Sequence, residues 1–247
     1  MIVRGRSRNL TYSIVHDLGV AIVTGTYSKK NPFPVEAELC KQFGASRTAL
    51  REAVKMLTAK GLLSARPRQG TWVQPEENWN LLDPDVLTWL LERKFSPTLL
   101  IEFTEIRLAV EPGAAALAAR VAGPAEKAAL RAAIERMSAA DRGDDDPLES
   151  DIAFHLAVLR ASGNRFYAQL SELIATALRF SIRTTNRYKG VRLASVADHR
   201  KVSDAILAGK SVQAAEAMRS LIQEALDLIC AGEERHAARR QATGGGR

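Results

Sequence analysis

Gly44-Ala45-Ser46-Arg47-Thr48-Ala49-Leu50-Arg51-Glu52-Ala53-Val54 is the stretch that decides the reading of this chain. Gly44 ends one helical segment, and Ser46 has the chemistry of a helix N-cap. Leu50, Val54 and Leu57 then recur at helical spacing to about Lys60, with Gly61 as the stop. Working back, Val35, Leu39 and Phe43 lie on one face of a short helix. Asn31-Pro32-Phe33-Pro34 before it is a turn, because its prolines cannot continue a helix. Earlier still, Leu10, Ile14, Leu18, Ala21 and Ile22 keep helical spacing until Gly25. Working forward, Leu62-Leu63-Ser64 and Thr71-Trp72-Val73 are β-prone, and Arg66-Pro67-Arg68-Gln69-Gly70 joins them as a tight turn.

The order is helix, helix, turn, helix, β-hairpin. A short turn containing Gly44 separates the second and third helices, as in a helix-turn-helix, and the hairpin is its wing. The exposed face of the third helix presents Ser46, Arg47, Thr48, Arg51 and Lys55, which suit phosphates and base edges. The wing adds Arg66, Arg68 and the small Gly70, which permits close approach to a phosphate backbone. Charge agrees. Residues 1–75 hold 12 Lys/Arg and 4 Asp/Glu, a balance of +8, while the remainder holds 23 and 24, a balance of −1. The excess positive charge therefore sits at the end with the helix-turn-helix, which predicts duplex DNA as partner.

Residues 76–97 form a linker expected to pack, since Trp79, Trp89 and several leucines make it too apolar for a tether. Residues 98–236 read as an all-α bundle of about six helices, broken at Gly123-Pro124, Gly143 to Pro147, Gly163 and Gly209. An apolar helix is expected from Phe166 to Ile182, and a disordered tail at 237–247. No stretch is apolar and long enough to span a bilayer, and the basic N-terminus lacks the apolar core of a signal peptide. Cys40 and Cys230 form no metal spacing and read as free thiols. A cytoplasmic protein is expected.

Two constellations in the helical part carry chemistry. Asp151 and His155 are four apart and share a helix face. His199 lies in another helical segment. An exposed helix pair is the bland alternative, but Ile152, Phe154, Leu156 and Val158 around the pair argue against full exposure. Arg107 and Glu111 are also four apart: either an ordinary ion pair, or an arginine able to grip a ligand carboxylate bidentately. Thr184, Thr185, Asn186 and Arg187 form a polar cluster suited to a polyhydroxylated ligand. No nucleophile motif, phosphate loop or carboxylate pair is present, so an Asp/His2 metal enzyme is a remote alternative.

The segments Pro34 to Cys40, Ser46 to Ala53, Gly61-Leu62-Leu63 and Arg68 to Val73 resemble the GntR family of bacterial regulators. The helical remainder resembles the FCD domain of its fatty-acid-regulator branch, and Trp79-Asn80-Leu81-Leu82-Asp83-Pro84-Asp85-Val86-Leu87-Thr88-Trp89 is similar to the linker of sugar-acid regulators. The resemblance implies a mainly α protein and a homodimeric repressor that leaves a palindromic operator when an acid of D-galactonate type enters the helical domain. It implies a divalent metal ion (Zn, Ni or Mn type) held by Asp151, His155 and His199, and it favours Arg107 as the grip on the effector carboxylate; the polar chemistry of Thr184, Thr185, Asn186 and Arg187 adds them to the expected effector site. The metal-binding FCD pattern has a further His where this chain has Leu221. Metal-responsive regulation and sensing of another carboxylic acid remain as alternatives.

Overall fold

The computed structural model describes residues 3–28, 31–66, 69–93, 96–189 and 195–244, with side chains over 10–28, 31–66, 69–92, 96–182 and 195–234. The chain divides into two compact units, Met1–Phe95 and Ser96–Arg247.

In the first unit, α1 (Val3–Val23) packs on α3 (Arg47–Ala59), with α2 (Glu36–Phe43) between them in sequence. Ile14, Leu18, Ile22, Leu39, Leu50, Leu57 and Leu62 are buried together as its core. Gly44 takes φ +58°, a left-handed value that lets α2 stop with its backbone N–H returned to Cys40 O. The Ser46 hydroxyl accepts from Ala49 N–H at 3.2 Å, starting α3. Strands β1 (Leu63–Arg66) and β2 (Gly70–Val73) pair antiparallel, Leu63 opposite Val73 and Arg66 opposite Gly70. Gly70, at φ +85°, closes the hairpin.

Residues 76–93, expected as a linker, belong to this unit. A short 3-10 turn at Glu76–Asn78 leads to α4 (Pro84–Arg93), which packs on α1. The Trp89 indole N–H donates to His16 Nδ1 at 3.0 Å, and the ring lies against Gly19, where any Cβ would collide with it. Lys60 Nζ reaches both Asp83 and Asp85 at 2.8 Å, tying the end of α3 to the start of α4.

The second unit is a helical bundle, α5 (Pro97–Val121), α6 (Pro124–Arg142), α7 (Pro147–Ala161), α8 (Arg165–Gln169), α9 (Ser171–Lys189), α10 (Val196–Leu207) and α11 (Ser211–Gly244). Proline at the first helical turn begins α5, α6 and α7, where its missing N–H costs nothing. The core is small on one side, with Ala114, Ala115, Ala118 and Ala119 of α5, and larger on the other, with Phe154, Leu159, Leu178, Ile206 and Ile222. Alanines let α5 and α11 approach closely over a long contact.

Three expectations shift. Pro97 is not the end of a linker; it opens α5, capped by Ser96. The apolar segment from Phe166 breaks at Leu170, and α9 runs on through the polar residues 183–187 to Lys189. Finally, α11 continues to Gly244, past residue 236, because Ala237, Ala238, Arg239, Arg240, Gln241 and Ala242 are strong helix formers.

Candidate functional site

The first unit presents its exposed polar residues at the start of α3. Ser46, Arg47, Thr48 and Arg51 are all exposed, as are Arg66 and Gly70 on the wing, while Arg68 lies outside the described residues. The Arg47 and Arg51 side chains are 77% and 65% exposed, so both remain accessible to a ligand. Glu36 of α2 accepts from Arg51 Nε at 2.9 Å and lies 3.9 Å from Arg47 Nε. The contact takes one edge of Arg51 and leaves its terminal N–H groups for another acceptor. Arg66 stacks on Trp72 across the hairpin, 5.7 Å from the ring centroid. Neither Glu36 nor Trp72 stands out in the sequence as a partner of these arginines.

The second unit buries its charged groups together. Arg107 and Glu111 on α5, Asp151 and His155 on α7, and His199 on α10 are each no more than 3% exposed. The four-residue spacings place both members of each pair on one inward face. The exposed alternative for Asp151 and His155 is thereby excluded. The Arg107–Glu111 ion pair is real, with Nε donating to Oε1 at 2.6 Å. Glu111 has a second partner that sequence spacing could not reveal: its Oε2 lies 2.5 Å from His155 Nδ1. His199 Nδ1 faces the Ser195 carbonyl at 2.8 Å.

Each ring has an acceptor at both nitrogens. When a cation sits beside Asp151 the neutral rings keep N–H on Nδ1, toward the Ser195 carbonyl or Glu111, and turn the Nε2 lone pair to the ion. Both Nε2 atoms turn to the same oxygen, Asp151 Oδ1, His199 at 3.2 Å and His155 at 3.4 Å. Phe154 supports the two rings edge-on, with centroids 5.7 Å from His155 and 5.0 Å from His199.

Electrostatics follow from burial and pairing. Burial alone would raise the Glu111 carboxyl, but Arg107 and His155 overcome it and hold the group at about 2. Burial likewise opposes the charged form of Asp151, yet His199 and His155 hold it well below the usual carboxylate range. For His155 burial favours the neutral ring, and the carboxylates of Glu111 and Asp151 outweigh it, raising the pKa.

Asp151, His155 and His199 each offer one ligand atom, all within 4.8 Å of one another. One oxygen and two imidazole nitrogens, oriented by outer hydrogen bonds, fit a divalent ion that keeps open positions. A cavity lies beside them, with about 60 Å3 open to the centres of water-sized molecules. That is room for several small-molecule atoms or waters. Arg107 lines it, as do Ser181, Ser195, Glu224 and Leu221. Leu221 thus stands in the wall beside the three ligands, and its side chain offers no donor atom. Ser181, Ser195 and Glu224 carry no signal in the sequence that marks them out; only the packing of α9, α10 and α11 gathers them. The α9 backbone continues through Thr184, Thr185, Asn186 and Arg187, whose side chains lie outside the described residues.

Among known proteins, residues 10–73 match "Bacterial regulatory proteins, gntR family", and residues 102–224 match the FCD domain. The Galactonate operon transcriptional repressor of Escherichia coli K12 is 39% identical over 171 residues, 69% of this chain and 75% of that protein. The uncharacterized HTH-type transcriptional regulator YieP of the same organism is 34% identical over 87% of this chain and 94% of its own. The fold is shared with the solved structure of Lar, which controls the expression of the Listeria monocytogenes agr system. That structure superposes with a TM-score of 0.57 at 18% identity, covering 89% of this chain and 95% of the other. These relatives are regulators rather than enzymes. A winged helix-turn-helix is followed in this chain by a helical unit, and the chain belongs to the gntR family of bacterial regulatory proteins, in the branch that carries an FCD domain.

Proposed function

We propose that the protein is a repressor of genes for sugar-acid breakdown, released from DNA when an acid of D-galactonate type enters the cavity of the helical unit. The observation that carries this reading is the cavity itself. It sets one buried guanidinium, Arg107, beside an Asp151–His155–His199 donor set, with Ser181, Ser195 and Glu224 around it. A guanidinium suits a carboxylate, and hydroxyls and carboxylates suit the hydroxyl groups of a sugar chain. Thr184, Thr185, Asn186 and Arg187, later in the sequence of α9, are the further residues proposed for the acid's hydroxyl groups.

The metal, a divalent ion of Zn, Ni or Mn type, would be held by Asp151, His155 and His199. When bound it supplies a Lewis-acidic centre for the acid's carboxylate and hydroxyl oxygens. Leu221 keeps a position open for them, where a fourth protein ligand would close the shell. That favours metal as a partner of the acid over metal as the signal itself.

On the DNA side, Ser46, Arg47, Thr48 and Arg51 read bases from the major groove, while Arg66, Arg68 and Gly70 of the wing meet the phosphates. Such a protein works in the cytoplasm. One such unit covers half a site, so a homodimer on a palindromic operator sets two recognition helices about 34 Å apart. The acid releases DNA only if it binds better to the arrangement of units that misplaces those helices.

Thermal melting of the purified protein against a panel of aldonic and uronic acids, each with and without zinc, nickel or manganese, tests the reading. An acid that raises the melting temperature, more with metal than without, supports it. No response to any acid in either condition overturns it.

A further inference from the structure

Glu111 stands behind two residues of the cavity wall, Arg107 and His155. It is fully buried, and its two oxygens are divided between them: Oε1 holds Arg107 Nε at 2.6 Å, and Oε2 faces His155 Nδ1 at 2.5 Å. Arg107 also lies 3.4 Å from that imidazole nitrogen through its Nη2. With Nδ1–H directed to Glu111, that second approach is between two donors, so the carboxylate alone holds the pair together.

We propose that Glu111 is the positioning residue that couples metal binding to acid binding in this protein. This inference rests on the metal-and-acid reading given above. Two effects produce the coupling. The first is orientation. Glu111 accepts at His155 Nδ1, which leaves the Nε2 lone pair to an ion held beside Asp151, and a carboxylate behind an imidazole makes it a stronger ligand. The second is charge. With both imidazoles neutral, as a bound ion requires, the buried charged groups are one guanidinium, Arg107, and two carboxylates, Glu111 and Asp151, which sum to one negative charge. Such a site disfavours an incoming carboxylate. A divalent cation turns the sum to one positive charge, and an acid then makes it neutral. Metal first therefore tightens acid, and by linkage acid tightens metal to the same degree. When the acid carboxylate neutralises Arg107, the Glu111 charge acts more fully on His155 and its ligated ion. The acid and the ion touch different residues, and Glu111 touches both of those residues.

The test uses cobalt(II) as the spectroscopic metal and D-galactonate as the acid, on the full chain. Cobalt affinity is read from its absorption bands, with and without acid, for wild type and Glu111→Gln. Wild type binds cobalt more tightly in the presence of acid. Glu111→Gln keeps the size of the side chain and an acceptor oxygen but removes the charge. It weakens cobalt binding about 10- to 100-fold, the range seen when such outer partners are lost, and the effect of acid on cobalt affinity shrinks to the part that direct contact of acid and ion supplies. A role confined to folding would lower the melting temperature and leave that acid effect intact.

Glu111→Gln leaves the Arg107 charge buried without its partner, which endangers folding. The double variant Arg107→Gln/Glu111→Gln removes both charges and answers that case. Loss of Arg107 by itself favours a cation, so weaker cobalt binding by the double variant traces to Glu111. Unchanged cobalt affinity in whichever variant folds overturns the inference while leaving the metal-and-acid reading intact. A wild-type protein that binds neither cobalt nor any acid of the panel overturns both.

Discussion

Leu221 sits in the cavity wall with Asp151, His155 and His199, and its replacement can add a ligand rather than remove one. Leu221→His is expected to complete a four-ligand set and slow the loss of zinc to a chelator at least about tenfold. The same substitution is expected to weaken the acid, because it fills the position the acid's oxygens would take. Zinc loss at the wild-type rate would place Leu221 too far from the ion. The buried carboxylates give a second expectation at this scale. Glu111, held at about 2, and Asp151, also depressed, stabilise the metal-free fold fully above the ordinary carboxylate range. That contribution is lost as pH falls from about 4.5 towards 2. His155 is raised, so its contribution is present below its ordinary value of 6.5 and fades as pH rises through the folded value. Melting of the metal-stripped protein should therefore pass through a maximum on the acid side of neutrality. Asp151→Asn should flatten the acid limb; an acid limb identical to wild type would remove Asp151 from this account.

Helix α4 shows what the protein gains from residues that read as a linker. It packs on α1 through Trp89, whose ring occupies the space a side chain at Gly19 would need. Gly19→Ala should improve helix propensity yet destabilise the first unit by about 1–3 kcal/mol through overpacking, measured by urea denaturation. A stabilised variant would mean that α4 yields at no cost. At this scale much was legible from sequence. Gly44, Ser46 and Gly61 marked the ends of α2 and α3 because each acts through its own local backbone, and four-residue spacings put Asp151 with His155 and Arg107 with Glu111. Other contacts were not legible because their partners are far apart in the chain. Glu111 and His155 are separated by 44 residues, and Arg51 and Glu36 by 15. Periodicity speaks only to one helix at a time. Ser181, Ser195 and Glu224 come from three helices, and nothing local marks a serine or glutamate as facing a cavity. The extension of α11 failed for a different reason: glycines at the very end suggested a tail, while the alanine and arginine before them sustain a helix.

The whole molecule joins a basic DNA-binding unit to a helical unit with a buried site, and under the proposed function a small acid controls the first by occupying the second. The direct measurement is fluorescence anisotropy on a duplex enriched by the protein itself from a random pool. The enriched duplex is expected to carry two inverted half-sites, and affinity is expected to fall steeply with added salt, as phosphate contacts require. D-galactonate with zinc is expected to weaken binding at least about fivefold, the lower range of allosteric coupling. Arg107→Lys, which keeps the charge beside Glu111 but loses the planar fork, should bind the same duplex and respond to the acid far less. An affinity for the duplex that no aldonic or uronic acid alters, with or without metal, would contradict the proposed function.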